Sequence, residues 1–173
     1  MNESLAKAII FLANPFLKLL HKSMTKIKAG SKAPDFKGVD QHGNEIKLSD
    51  YKGKKVVLYF YPTDDTPGCT AQACNLRDNY SALQKKGYEV LGVSKDSEKS
   101  HQKFIKKYDL PFSLIADTDL KINEAYDVWH EKKFMGRTFM GTVRTTFVID
   151  EKGKIESVIE KVDTANHTEQ IIG

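Results

Sequence analysis

KKVVLYFYPTDDTPGCTAQAC, residues 54–74, is the stretch that decides the fold. KKVVLYFY is rich in β-branched and aromatic residues, as a strand buried at the centre of a sheet requires. Pro62 ends that run, and a polar loop follows. Thr66-Pro67-Gly68 then opens a helix: the Thr66 side-chain oxygen can cap it, and Pro67 suits the first helical position, where an N–H would have no partner. The helix is expected from about Thr66 to Lys86, with Ala73, Leu76, Tyr80 and Leu83 on its inward face and Gly87 as its stop.

Outward from this unit, strand and helix signals alternate. DFKGVDQHGNEIKL (35–48) reads as an N-terminal β-hairpin around the turn residues DQHGN. YEVLGVS (88–94) is a second buried strand, DSEKSHQKFIKKYDL (96–110) a second helix stopped by Pro111, and FSLIAD (112–117) a third strand. A short helix is expected around LKINEAYDV (120–128). TVRTTFVID and KIESVIEKV then read as two strands joined by DEKGK, with a last helix from about Ala165. Strands that alternate with helices and close on a hairpin imply an α/β architecture, helices flanking a central mixed sheet.

Composition bounds the remaining possibilities. The 173 residues are 40% hydrophobic and suffice for one ordinary core, expected over residues 29–173. The net charge of +4 comes from 27 basic and 23 acidic residues interleaved along the chain, so a nucleic-acid stripe is not expected. Residues 1–28 form an N-terminal extension: an appendage, a targeting segment, or the consequence of a start at Met24. Its apolar run is interrupted by Asn14 and Pro15 and falls well short of the ~20 residues a membrane span needs. Surface contact with a membrane through residues 5–20 is the less favoured alternative. His21, His42, His101, His130 and His167 are scattered, which argues against a metal site and makes surface or loop histidines the expectation. No cofactor is expected, and Trp129 with KKFMGR is read as loop, at the mouth of a pocket or in ordinary packing.

Two cysteines, Cys69 and Cys74, in a chain of this length are not a disulfide framework, and free thiols suit a reducing cytoplasm. Cys69 is either a small buried hydrophobe or a reactive thiol. Its place in the first turn of a helix, at the carboxyl end of a central strand, favours the thiol, because the helix dipole and the free N–H groups stabilise a thiolate. Residues five apart on a regular helix point about 140° away from each other, with Cα atoms roughly 8.7 Å apart. A disulfide needs about 7 Å or less, so if the two pair, the first turn must unwind. The thioredoxin-type reductase spacing, two residues between cysteines, is absent.

Acidity alone does not make such a sulfur fast, because intrinsic nucleophilicity falls as acidity rises. A fast nucleophile here also needs a fixed cation and a hydroxyl donor for the leaving group. Arg77, Arg137 and Arg144 are the chain's arginines, and Arg144 stands inside the apolar strand pattern TVRTTFVID. A charge there either faces solvent or serves a site.

Pro62, Thr66 and Cys69, at their spacings in YPTDDTPGCTAQAC, resemble the peroxiredoxin active-site pattern. Cys74, the following NLRDNY and VWHEKKFMGRTFMGTVRTTFVID are similar to the Q-type peroxiredoxins, also called bacterioferritin comigratory proteins. The likeness runs from about Ala33 to the end of the chain. It implies a thioredoxin-like fold and a monomeric peroxidase that reduces hydrogen peroxide and organic hydroperoxides. By matching position, Cys69 would attack the peroxide, Cys74 would resolve the product into an intramolecular disulfide, and thioredoxin or a similar dithiol would reduce it. Thr66 would hydrogen-bond thiolate and peroxide, Pro62 would shield the sulfur, and Arg144 would stabilise thiolate and transition state. Thr63 stands where many relatives carry a basic residue. The competing class of function is a redox-gated interaction module without turnover.

Overall fold

Odd and even residues of one strand divide the core in two. Val56, Leu58 and Phe60 join a cluster with Phe36, Leu91, Val93, Tyr126 and Phe147, whereas Val57, Tyr59 and Tyr61 join one with Cys69, Ala73, Leu76, Leu83 and Phe104. Side chains alternate across a strand, so this is a sheet covered on both faces, as its near-continuous apolar sequence requires.

The computed structural model describes residues 25–173; the expectations for the N-terminal extension before Thr25, including the Met24 start, the membrane contact through residues 5–20 and His21, lie outside the described residues. In chain order the elements are β1 (Lys37–Val39), β2 (Glu45–Lys47), a 3-10 turn (Leu48–Tyr51), β3 (Lys55–Phe60), α1 (Pro67–Asp78), α2 (Tyr80–Lys85), β4 (Tyr88–Ser94) and α3 (Glu98–Tyr108). They continue with β5 (Ser113–Ala116), α4 (Lys121–Ala125), β6 (Trp129–Phe134), β7 (Arg137–Thr142), β8 (Thr145–Ile149), β9 (Ile155–Ile159) and α5 (His167–Ile172). The central sheet has the order β5-β4-β3-β8-β9. Its β3, β4 and β5 are parallel, and β8 and β9 run antiparallel to their neighbours. The N-terminal hairpin forms as expected, with Asp40 Oδ1 accepting from the His42 and Asn44 N–H groups in its turn. Thr25 and Lys26 are tied to the domain through the Tyr126 carbonyl and the Asp127 carboxylate.

Three of the expected secondary-structure elements differ in the structure. The single helix over 66–86 is two, α1 and α2, separated at Asn79. There the Asn79 side-chain amide donates to the Asn75 carbonyl at 2.8 Å and shares it with the Asn79 N–H, which is held at 3.3 Å. Trp129 and KKFMGR (132–137), read as loop, belong to an antiparallel hairpin of β6 and β7. Finally, β8 begins only at Thr145, so Arg144 lies in the two-residue link that precedes it and is not a strand residue.

Candidate active site

The parallel pair β3–β4 sends its carboxyl end toward the loop 61–66, and α1 starts from that loop. Ligands of open α/β sheets gather at such an edge. Thr66 is the extended residue before the helix (φ −101°, ψ 155°), with Pro67 in the first helical position. Its side chain does not cap the helix, contrary to the sequence expectation. The Thr66 hydroxyl donates instead to the Thr63 carbonyl at 2.9 Å, because a threonine oxygen can bond its own loop as readily as the helix. The first-turn N–H groups are therefore left uncapped by Thr66, and Cys69 stands in that first turn, at the positive end of the helix.

Cys69 is 2% exposed and belongs to the buried cluster that includes Tyr59, Tyr61 and Ala73. The sulfur is not left in purely apolar surroundings. Arg144 Nη2 donates to Cys69 Sγ at 3.3 Å, and Nη1 of the same guanidinium donates to Gln72 Oε1 at 2.8 Å. Gln72 is fully buried, one helical turn beyond Cys69. It thus fixes the guanidinium in the plane that brings its second nitrogen to the sulfur. A lone, half-buried arginine in the β7–β8 link is held by two residues of α1.

Cys74 is half-buried on the same helix, and both cysteines are free thiols. Since α1 is continuous from Pro67 to Asp78, the five-residue spacing keeps the sulfurs on different faces. Pro62 is half-buried at the start of the loop, where its carbonyl accepts from Lys95 Nζ at 3.3 Å. Of the five sequence candidates, Cys69 and Arg144 are brought into contact. Pro62 and Thr66 flank them on the loop, and Cys74 is held apart.

Sequence reasoning missed several neighbours. Gln72 stands three residues from Cys69, a spacing that puts both on one helix face, and this was the signal available. Lys132 on β6 donates to the Thr142 carbonyl at 3.0 Å, and burial, with Arg144 next, pulls its ammonium below the ordinary lysine range. The Tyr59 hydroxyl and Gln72 Nε2 are buried polar groups without a hydrogen-bond partner. Burial pushes the Tyr59 hydroxyl well above its ordinary range, so it stays a neutral phenol.

Two histidines correct the surface expectation: His101 and His167 are both fully buried. His101 falls on the apolar face that Phe104, Ile105 and Tyr108 mark at helical spacing, which the sequence did contain. His167 Nδ1 donates to Gln170 Oε1, and its Nε2 accepts from the Thr146 hydroxyl, each at 2.8 Å. The β6–β7 hairpin exposes Phe134 (67%), Met135 (86%), Phe139 and Met140. Among the described residues no cluster of three or more His, Cys, Asp or Glu is arranged to hold a metal ion, and no helix is long and apolar enough to cross a membrane.

The model of the AhpC/TSA family matches residues 29–158. A putative peroxiredoxin bcp of Coxiella burnetii is 50% identical over 147 residues, 85% of this chain and 97% of the relative. The peroxiredoxin Bcp of Bacillus subtilis is 45% identical over 84% of this chain and 93% of the relative. Among solved structures, a cysteine-to-serine mutant of Xylella fastidiosa PrxQ superposes with a TM-score of 0.79 at 30% identity, over 84% of this chain and 92% of that one. A Xanthomonas campestris bacterioferritin comigratory protein, studied for alkyl peroxide reduction, superposes with a TM-score of 0.76 at 31% identity, over 85% and 94%.

Proposed function

The chain belongs to the AhpC/TSA family, in its Bcp or Q-type peroxiredoxin branch, and we propose that Cys69 is the sulfur that reacts with peroxide and Cys74 the thiol that resolves it. The protein is a thiol-dependent peroxidase. The observation that carries the assignment of Cys69 is the 3.3 Å hydrogen bond from Arg144 at the mouth of α1.

In the proposed cycle the Cys69 thiolate attacks one peroxide oxygen and the O–O bond breaks. Sulfur becomes a sulfenic acid, and the other oxygen leaves as water or an alcohol after taking a proton. Arg144 offsets the charge on both sulfur and leaving oxygen. Thr66, whose own proton is committed to Thr63, accepts a hydrogen bond from the peroxide O–H, and Pro62 shields the sulfur from bulk water. Organic hydroperoxides undergo the same O–O cleavage at the same sulfur, with an alcohol as the leaving product. Cys74 sulfur then displaces water from the sulfenic acid, and a disulfide forms. That step needs α1 to unwind, because an intact helix holds the two Cα atoms roughly 8.7 Å apart. A dithiol reductant such as thioredoxin returns both thiols, and the cycle as a whole suits a monomer in a reducing cytoplasm.

The test is a thiol count after one equivalent of hydrogen peroxide. Wild type is expected to lose two thiols together. Cys74→Ser should lose one at an undiminished first-turnover rate and fail to recycle with thioredoxin and its reductase. Retention of both thiols in wild type would refute the assignment, and consumption of a single equivalent despite a working reductant would make the pair a switch instead of a catalyst.

A further inference from the structure

Asp64 sits two residues before Thr66 in the loop that presents Cys69, yet it is a buried carboxylate. Three donors converge on it: the Tyr61 hydroxyl on Oδ1 at 2.6 Å, and the Ser100 hydroxyl and His101 Nδ1 on Oδ2 at 2.7 and 2.8 Å. The other ring nitrogen of His101, Nε2, faces the Ile115 carbonyl at 3.1 Å. A carbonyl only accepts, so Nε2 carries hydrogen. The short contact between Nδ1 and Oδ2 then needs a proton of its own, since two lone pairs would otherwise meet. His101 and Asp64 therefore share one proton beyond that on Nε2, an internally neutral pair. The main chain is tied as well: the Asp64 N–H donates to Asp96 Oδ2 at 2.9 Å, and the Ser94 hydroxyl holds that same oxygen at 2.6 Å.

Tyr61 directly follows β3, and the other partners come from the ends of β4 and β5 and from the first turn of α3. None of those elements carries Cys74 or Arg144, so the anchor is independent of the helix that unwinds. A buried carboxylate costs several kcal/mol unless it is fully hydrogen-bonded, and a surface loop needs no such device for stability.

We propose that Asp64, clamped by Tyr61, Ser100 and His101, is a positioning residue for the peroxide reaction: it sets the loop 61–66 so that Thr66 and the first-turn N–H groups converge with Arg144 on the substrate at Cys69. The inference rests on Cys69 being the reacting sulfur. The attack requires several donors to meet one oxygen, whereas alkylation of the same sulfur by iodoacetamide requires only a reachable thiolate. The two reactions therefore separate positioning from mere folding.

The experiment uses the full chain as wild type, Tyr61→Phe, Ser100→Ala and His101→Gln, with thermal midpoints recorded. Tyr61→Phe removes one donor and keeps the ring, so the test survives if His101→Gln fails to fold. Tyr61→Phe is expected to slow peroxide consumption by Cys69 about ten- to a hundredfold while the iodoacetamide rate stays within about twofold, the signature of misplacement by a fraction of an ångström. Equal losses in both reactions, or an unchanged peroxide rate in folded variants, would overturn the proposal. Wild type that fails to lose the Cys69 thiol to peroxide would instead strike the functional assignment, and this inference with it.

Discussion

Arg144 and Cys69 are 75 positions apart in the chain, yet a guanidinium nitrogen of one donates to the sulfur of the other at 3.3 Å. The contact joins a helix mouth to the link between two strands. Its second anchor, Gln72 Oε1 at 2.8 Å, makes it a two-point fit.

Removing the guanidinium should therefore cost transition-state stabilisation. Arg144→Ala is expected to lower the second-order rate of peroxide consumption by about 10²–10³, the range for loss of one preorganised donor. Arg144→Lys should recover little, because a single ammonium cannot reach Gln72 and the sulfur as a planar fork does. Single-turnover kinetics under excess peroxide checks both.

Gly68 touches the same guanidinium. A Cβ built there lies 3.2 Å from Arg144 Nη2, closer than such contacts normally come. The half-buried guanidinium can give by the few tenths of an ångström this requires, at the expense of its fit to Cys69 and Gln72. Gly68→Ala should thus leave thermal stability equal or slightly higher, since alanine favours a helix over glycine by up to about 1 kcal/mol, while slowing peroxide consumption about three- to tenfold through displacement of the cation. A parallel thermal melt and rate measurement would show the two moving in opposite directions.

Asn75, next to the proposed resolving thiol, clasps the C-terminal helix. Its Oδ1 accepts from the Thr168 N–H and hydroxyl, and its Nδ2 donates to the Ala165 carbonyl, all at 2.8 Å. Unwinding of α1 near Cys74 has to break or carry these bonds. Asn75→Ala should destabilise the reduced protein by about 1–2 kcal/mol and accelerate disulfide formation after the first peroxide hit by about fivefold or more. Following the second phase of thiol loss, with the first phase unchanged, checks this.

His167 predicts the acid limb of stability. Burial drives its imidazole below the ordinary value of 6.5, with the hydrogen bond to Gln170 opposing. Gln170 Oε1 accepts from His167 and from the Asp163 N–H, while its Nε2 donates to the Lys161 carbonyl, so the neutral tautomer is built in. The folded state then binds fewer protons than the unfolded chain just below pH 6.5. Its contribution is complete above that value and is lost as pH falls, with a slope of at most about 1.4 kcal/mol per pH unit. His167→Gln should flatten the slope of denaturant midpoints between pH 7 and 5; an unaltered slope would assign the acid lability elsewhere.

What could be read from the chain alone was local. A buried strand stopped by Pro62, a helix opened by Thr66-Pro67-Gly68 and a cysteine in its first turn depend on side-chain alternation, a fixed proline φ and unpaired N–H groups, all set within a few residues. The division of one expected helix at Asn79 and the hairpin at 129–142 escaped because side-chain competition for a carbonyl and cross-strand pairing outweigh intrinsic preference there. Tertiary packing alone decided that Arg144 turns inward to Cys69, that Gln72 orients it, and that Asp64 meets His101. Each of these joins groups that only chain reversal through the sheet brings together, and the energy that selects them, pairing of buried charge, exists only once water has been excluded.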